Sequence, residues 1–445
     1  MSVDHWMLFG TFAQKNYFEY PKPGTYKGTV INANMAAHAP AGLAAFLLEK
    51  TKESRYIIDP LTHAFQRDPE AVTNDEGETK SSVRGIADAY DEPVSSCLGQ
   101  KPVLPSAFKK KGLLEGFTDR CIDFQCKQLT TYMKDSDAAK YLDEGETEPP
   151  PYAVVAPYFF MTETTVDDWL PVNVACATHA AAKYHGGASK VFASVVLDQG
   201  VLVDEDKRKQ VAEAYSSIRS IDGFLVWVDN LDEQAASSLA LRSLLKLGRD
   251  LRRREREVIN LHGGYFSVLA AGTLGNRALN GVTHGPEFGE YRGVVPVGGG
   301  IPIARYYIPD LHARVKYGDA VKLLKKKGWL KSAGSFHENV CNCDECRRTL
   351  DGDPDQFVRF GEANTKSVKR RGGLVRIQFP TKEAKERCLK HYLQRKKYEY
   401  DAADGATKEV LLQQLLDGAA KYEDVAGLDG VRHLRVWHKV LSESA

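Results

Sequence analysis

The chain has 445 residues, 43% of them hydrophobic, enough for one large domain with additions or for two to three domains. Lys plus Arg total 60 against 59 Asp plus Glu, a net charge of +1, so bulk charge does not mark a nucleic-acid binder and a local basic face would have to do so. The 8 cysteines are too few for a disulfide framework and imply a reducing, cytoplasmic setting; no apolar run is long enough to span a membrane, and residues 1–6 lack the basic and apolar regions of a signal peptide.

Taken in order, residues 1–27 are aromatic and polar and are expected to pack across an end of the main domain. Residues 28–34 read as a strand, 41–49 as a helix, and 55–60 as a strand ending in the carboxylate of Asp59. Residues 66–150 break this rhythm. They hold a charged loop at 69–82, a helix over 117–134 with Ile122, Leu129 and Met133 on one face, and an acidic stretch ending in prolines. The segment reads as an insertion, a helical element that caps the substrate pocket or binds the polymer. Strands then follow at 152–159, 190–198, 222–229, 257–264, 279–285 and 304–309, with helices at 172–185, 204–220, 233–257 and 265–271.

The near-continuous apolar runs indicate strands buried on both faces. The pattern predicts an α/β fold, a (β/α)8 TIM barrel with an insertion after the second strand and a C-terminal zinc-binding subdomain; a doubly wound open sheet is the alternative. The expected division is a barrel over 1–335, a zinc-binding and basic segment over 336–400, and a helical tail over 401–445. In such a barrel the C-terminal strand ends line the active site, and Asp59, Asp198, Asp229, His262 and His284 all fall at such ends. A single Asp there is more often a helix N-cap or turn former; several at equivalent positions weigh against that. Gly263 and Gly264 form either a plain turn or a place where backbone amides approach a ligand.

The most specific stretch is Cys341, Cys343 and Cys346, spaced C-x-C-x-x-C. Thiolates this close share a soft metal without strain, and zinc is the usual occupant. His391 is the preferred fourth ligand, with Cys388 and His337 as rivals. Three thiolates and an imidazole leave no open position, so the Zn2+ is expected to be structural. Residues 366–397 hold twelve Lys or Arg against two Glu, either a solvated face or a phosphate-contacting one.

With these residues in view, the chain resembles the tRNA-guanine transglycosylases, zinc-containing β/α barrels that exchange a guanine in nucleic acid for a 7-deazaguanine. Cys341, Cys343, Cys346 and His391 match the family's zinc motif, although the gap before His391 is longer than the family's. Ile57-Ile58-Asp59 followed by Phe65-Gln66 is similar to its early strand, which ends in a catalytic Asp shortly before Phe-Gln; Asp222-Gly223-Phe224 is similar to a later strand opening. There are departures. Ala156-Pro157-Tyr158 stands where the family has a base-recognition Asp, Trp227-Val228 replaces its Gly-Gly, and residues 279–287 offer Glu287 but no nucleophilic Asp.

Divergence of this kind is closer to the relatives that insert 7-deazaguanines, such as 7-cyano-7-deazaguanine, into DNA in bacterial and phage modification systems. The resemblance implies a glycosyltransferase with Asp59 handling protons and Glu287, Asp229 or Asp198 attacking the sugar. It implies His262, Gly263, Gly264 and His284 at the base or phosphate, DNA and a 7-deazaguanine base as partners, and modification-system proteins as further ones. The alternatives are a non-catalytic transglycosylase-like subunit that binds nucleic acid or a partner enzyme, a transglycosylase acting on tRNA, and a barrel hydrolase with a structural zinc.

Overall fold

The computed structural model describes residues 3–11, 14–18, 26–50, 55–74, 76–134, 140, 148–272, 274, 277–285, 290–295, 303–370 and 373–443. The chain divides into two compact units, residues 1–232 with 239–296 and residues 233–238 with 297–445.

The first unit is a closed barrel of eight parallel strands: β1 (Asp4–Phe9), β2 (Gly28–Asn32), β3 (Arg55–Asp59), β4 (Ala153–Val155), β5 (Lys190–Leu197), β6 (Gly223–Val228), β7 (Glu257–Asn260) and β8 (Gly281–His284). β1 closes the ring by pairing with β2 (Leu8 beside Val30) and with β8 (Trp6 beside Thr283). Alternate residues point inward, so Trp6, Leu8, Val30, Ile57, Val155, Phe192, Val196, Leu225, Trp227 and Ile259 share one buried core.

The strand set corrects the sequence expectation at both ends. Residues 4–9, read as a covering segment, form β1; Asp4 and His5 interrupt the apolar run, but Trp6 and Leu8 fill the interior while Met7 and Phe9 are buried on the other face. Residues 304–309 lie outside the barrel: β9 (Arg305–Ile308) pairs antiparallel with β10 (Ala313–Lys316). A four-residue apolar run looks the same in either setting. Asp59 therefore ends the third strand, and the long connection follows the third strand, not the second.

Helices α1 (Pro40–Lys50), α2 (Leu113–Met133), α3 (Val166–Tyr184), α4 (Glu205–Ser216), α5 (Ser238–Leu251) and α6 (Tyr265–Ala271) accompany the strands. α2, expected as part of a cap, packs against α1, α3 and β4 as a wall helix. Asp119 on α2 ties it to α3 by accepting from Tyr184 Oη at 3.0 Å and meeting His179 Nε2 at 2.9 Å and Lys183 Nζ at 2.8 Å. Shorter helices, among them Ser81–Tyr90, precede α2.

The second unit holds β9, β10, several short helices, the hairpin β11 (Ala363–Arg370) and β12 (Gly373–Pro380), and the helices α7 (Lys382–Gly405) and α8 (Lys408–Glu443). α8 is 36 residues long, interrupted at Gly427 (φ 71°), and buries Leu411, Leu415, Tyr422, Leu434 and Trp437. Among the described residues no helix is long and apolar enough to cross a membrane.

Candidate functional site

At the C-terminal ends of the strands the core gives way to a cavity of about 140 Å³, whose walls include Asn32, Asp59, His63, Arg67, Trp227, His262 and Arg292. Asp59 is its one carboxylate among the described residues. It is 3% exposed and accepts hydrogen bonds from Tyr158 Oη (2.7 Å) and the Leu61 amide (3.2 Å). Burial pushes its pKa up to about 6, against the opposing pull of those two donors and of Arg292. Leu61 turns the chain in the left-handed region (φ 53°), a conformation that non-glycine residues rarely adopt.

Tyr158 is held in place from both sides. Its main chain bonds Thr62, and the neighbouring Phe160 both donates to and accepts from the side-chain amide of Gln66. This gives the Phe65-Gln66 pair a physical role: Phe65 is buried, and Gln66 braces the segment that carries Tyr158. Burial and the Asp59 charge raise the Tyr158 hydroxyl well above its ordinary pKa, so it stays a donor. With its proton directed at Asp59, its oxygen accepts from His63 Nδ1 at 3.1 Å, giving a chain His63–Tyr158–Asp59.

Two imidazoles flank the Trp227 ring, His63 at 5.2 Å and His262 at 4.7 Å between centroids. Burial pushes His63 well below the usual histidine range and His262 down to about 3, with nearby arginines adding to both shifts; both rings are neutral at pH 7. Residues 291–295 lie along the rim. The Arg292 carbonyl accepts from Trp227 Nε1 (3.0 Å) and the Asn230 amide (3.1 Å), while Val294 O accepts from Arg67 Nη2 (2.5 Å).

Not every strand-end residue reaches this cavity. Asp198 caps the helix that follows β5, accepting from the amides of Val201 (2.8 Å) and Glu163 (3.1 Å). Asp229 accepts from the Val294 amide (2.6 Å), which fixes the segment bearing Arg292. Both carboxylates thus serve the backbone, as strand-end Asp residues commonly do. His284 stacks on His5 (4.8 Å, Nε2 to Nε2 3.3 Å), on the strand face opposite to Thr283, and does not line the cavity.

A Cβ at Gly263 would lie 2.7 Å from Val282 Cγ1 and 2.8 Å from Asn260 Nδ2, so close packing accounts for that glycine; Gly264 caps α6. Neither lines the cavity. Glu287 lies outside the described residues. Sequence reasoning missed Tyr158, His63, Arg67 and Arg292. His63, four residues beyond Asp59, was the one with a local signal.

In the second unit Cys341, Cys343, Cys346 and His391 are buried, with their ligand atoms within 4.8 Å of one another, positioned to bind a metal ion. The His391 Nδ1 lies 3.6, 3.3 and 3.3 Å from the three sulfurs in that order. Tetrahedral zinc, with Zn–S near 2.3 Å, needs sulfurs about 3.8 Å apart, so the donor set and its compactness suit that ion. Outer contacts already orient the ligands. His391 Nε2 donates to the Tyr307 carbonyl at 2.7 Å, leaving Nδ1 for the metal; the Tyr306 hydroxyl meets Cys346 Sγ at 3.2 Å, and the Cys343 amide donates to Cys341 Sγ at 3.5 Å.

The rival ligands are engaged elsewhere. The Cys388 thiol, pushed up to about 12 by burial, donates to the Phe360 carbonyl, and His337 Nδ1 meets the Cys341 carbonyl at 2.9 Å. Comparison of the sequence with protein-family models gives no match, and comparison with curated proteins gives none either.

Proposed function

We propose that the chain is a base-exchange transglycosylase, a pentosyltransferase of the cytoplasm that replaces guanine in DNA with a 7-deazaguanine. On this reading the barrel is a (β/α)8 TIM barrel, and the Cys341, Cys343, Cys346 and His391 cluster holds a structural zinc. The observation that carries the proposal is Asp59, a desolvated carboxylate with a pKa of about 6 in an aromatic-walled cavity at the strand ends. Its volume is close to that of voids of about 150 Å³ that accept a benzene ring, so it admits an aromatic ring.

Base exchange needs no energy input if a carboxylate forms a bond to the sugar C1′ as guanine leaves and is then displaced by the incoming base. Asp59 gives its proton to the departing guanine and recovers one from the incoming base, a task suited to a group that titrates near neutrality. Trp227 and the neutral His63 and His262 stack on and hydrogen-bond the flipped base, and Arg67 and Arg292 meet the phosphate beside it. The attacking carboxylate is assigned to Glu287, because the oxygens of Asp198 accept from backbone amides and those of Asp229 from the Val294 amide and the Asn230 side chain.

One observation favours a second reading, a non-catalytic subunit of transglycosylase type: Asp59 is the one carboxylate lining the cavity among the described residues. Isotope-labelled guanine, offered with duplex DNA or tRNA in the presence of the metal-loaded chain, separates the two. Label is expected to enter DNA. Entry into neither polymer, with modification-system proteins added, would favour the non-catalytic subunit, and entry into tRNA alone would change the polymer. Metal analysis is expected to find about one zinc per chain; iron or no metal would remove the structural-zinc reading.

A further inference from the structure

The segment between Cys346 and His391 is not a plain linker. It contains the hairpin of β11 and β12, two eight-residue strands paired from Ala363–Pro380 at the base to Arg370–Gly373 at the far end. The metal ligands bracket it: Cys346 precedes it and His391 sits on α7, which begins two residues after β12.

Its exposure and composition are unusual for a hairpin inside a compact unit. Of the residues of β12, only Ile377 is buried, and Leu374 and Val375 are 77% and 45% exposed. From Ala363 to Lys382 there is no Asp or Glu, while Lys366, Lys369, Arg370, Arg371 and Arg376 fall within the same stretch, in a chain whose net charge is +1. Register places Thr365 beside Gln378 and Ser367 beside Arg376, and all four are exposed, so one face carries a row of hydrogen-bonding groups and a guanidinium.

We infer that this hairpin is a duplex-DNA-binding ribbon that enters the major groove, with its base anchored by the metal cluster. The fit is one of shape and charge. Eight residues at ~3.3 Å each make a ribbon roughly 26 Å long. The B-DNA major groove, about 12 Å wide, admits a two-stranded ribbon, whereas the deep, narrow major groove of A-form RNA does not. Thr365, Ser367, Arg376 and Gln378 share the face that meets the groove, Arg376 at a phosphate and the other three at base edges, while Lys366 pairs with the buried Ile377 on the opposite face. The exposed apolar Leu374, on the same face as Arg376 and Gln378, makes a contact of the kind that thymine methyl groups accept.

This inference names the polymer for the base exchange proposed above and in that sense rests on it, but it is tested by binding alone. Metal-loaded wild type and the variant Ser367→Ala/Arg376→Gln/Gln378→Ala are titrated against a fluorescent DNA duplex and an RNA duplex of the same sequence at several salt concentrations. The variant is expected to bind DNA at least roughly tenfold more weakly, with a salt dependence shallower by about one unit for each charge removed. RNA-duplex binding is expected to be weaker than DNA binding and unaffected. Unchanged zinc content and melting temperature establish that the exposed substitutions leave the fold intact. Equal DNA affinity and equal salt slope for the two proteins overturn the inference, as does wild-type binding to RNA as tight as to DNA. Asp59→Asn serves as a control: if it exchanges no base yet binds DNA as wild type does, the ribbon stands whether or not the enzymatic reading survives.

Discussion

The barrel has two polar ends, and Glu257 at one and Asp59 at the other are shifted in opposite directions. At the N-terminal ends of the strands, Asp4, Lys27, Arg55, Tyr152, Lys190 and Glu257 form one satisfied cluster. Lys27 pairs with Asp4 and Lys190 with Glu257; Tyr152 Oη donates to Glu257 at 2.6 Å; and the Arg55 guanidinium lies 4.5 Å above the Tyr152 ring. Burial works to raise the Glu257 pKa, but hydrogen bonds from Lys190 and Tyr152 outweigh it and hold the group below its ordinary value.

At the C-terminal ends, Asp59 is more deeply buried than Glu257 and lacks a cation in contact, and burial wins. Donation from both Lys190 and Tyr152 outweighs burial at Glu257, whereas at Asp4, bonded to Lys27, and at Asp59 burial prevails and raises the pKa. The first arrangement seals the barrel. The second keeps a group poised to move protons, with Leu61 held in a left-handed turn beside it.

The comparison is broken most directly by neutralising each carboxylate in turn. Asp59→Asn is expected to lower guanine exchange by roughly a thousandfold in initial-rate assays, because proton transfer of this kind contributes about 10²–10⁴. The same variant should be more stable than wild type at pH 7, by roughly 2–3 kcal/mol in denaturant unfolding, since the wild type keeps a buried carboxylate ionised there. The sign follows from linkage. The folded pKa of about 6 lies above the ordinary 3.8, so the folded state binds more protons between these values. Wild-type stability from this group is complete below pH 4 and is lost as pH rises through 6, and Asp59→Asn should lack that slope.

Glu257→Gln should do the reverse, lowering stability by about 1–2 kcal/mol at pH 7, a figure reduced by the partial exposure of Lys190, while leaving exchange unchanged. The smallest effect is expected from Tyr158→Phe. It removes a donor that favours the ionised Asp59, so the alkaline limb of the pH–rate profile, along which Asp59 loses the proton it gives to guanine, should move to higher pH with a modest loss of rate.

Legibility in the sequence followed how local each feature is. The Cys341, Cys343 and Cys346 spacing declares a metal site within six residues, and His391 was recognisable from the helix that carries it. The apolar runs of β5 and β6 announced buried parallel strands. β1 was hidden because Asp4 and His5 head it, and Arg305–Ile308 passed for a barrel strand because pairing partners leave no trace in so short a run. Asp59, Asp198 and Asp229 looked alike as strand-end carboxylates. Burial and hydrogen bonding separate them: Asp198 caps its own following helix, while Asp59 and Asp229 depend on Tyr158 and Val294, which come from other parts of the chain. Arg292 was not legible at all, since a rim segment after β8 brings it to the third strand.

The central claim, that Asp59 serves base exchange in DNA, is tested most directly by nucleoside analysis of hydrolysed DNA and tRNA from cells that carry the wild-type chain, Asp59→Asn, or neither. The account predicts a 7-deazaguanine nucleoside in DNA with the wild type alone. Its absence from DNA, its presence in tRNA instead, or equal amounts with Asp59→Asn would contradict it.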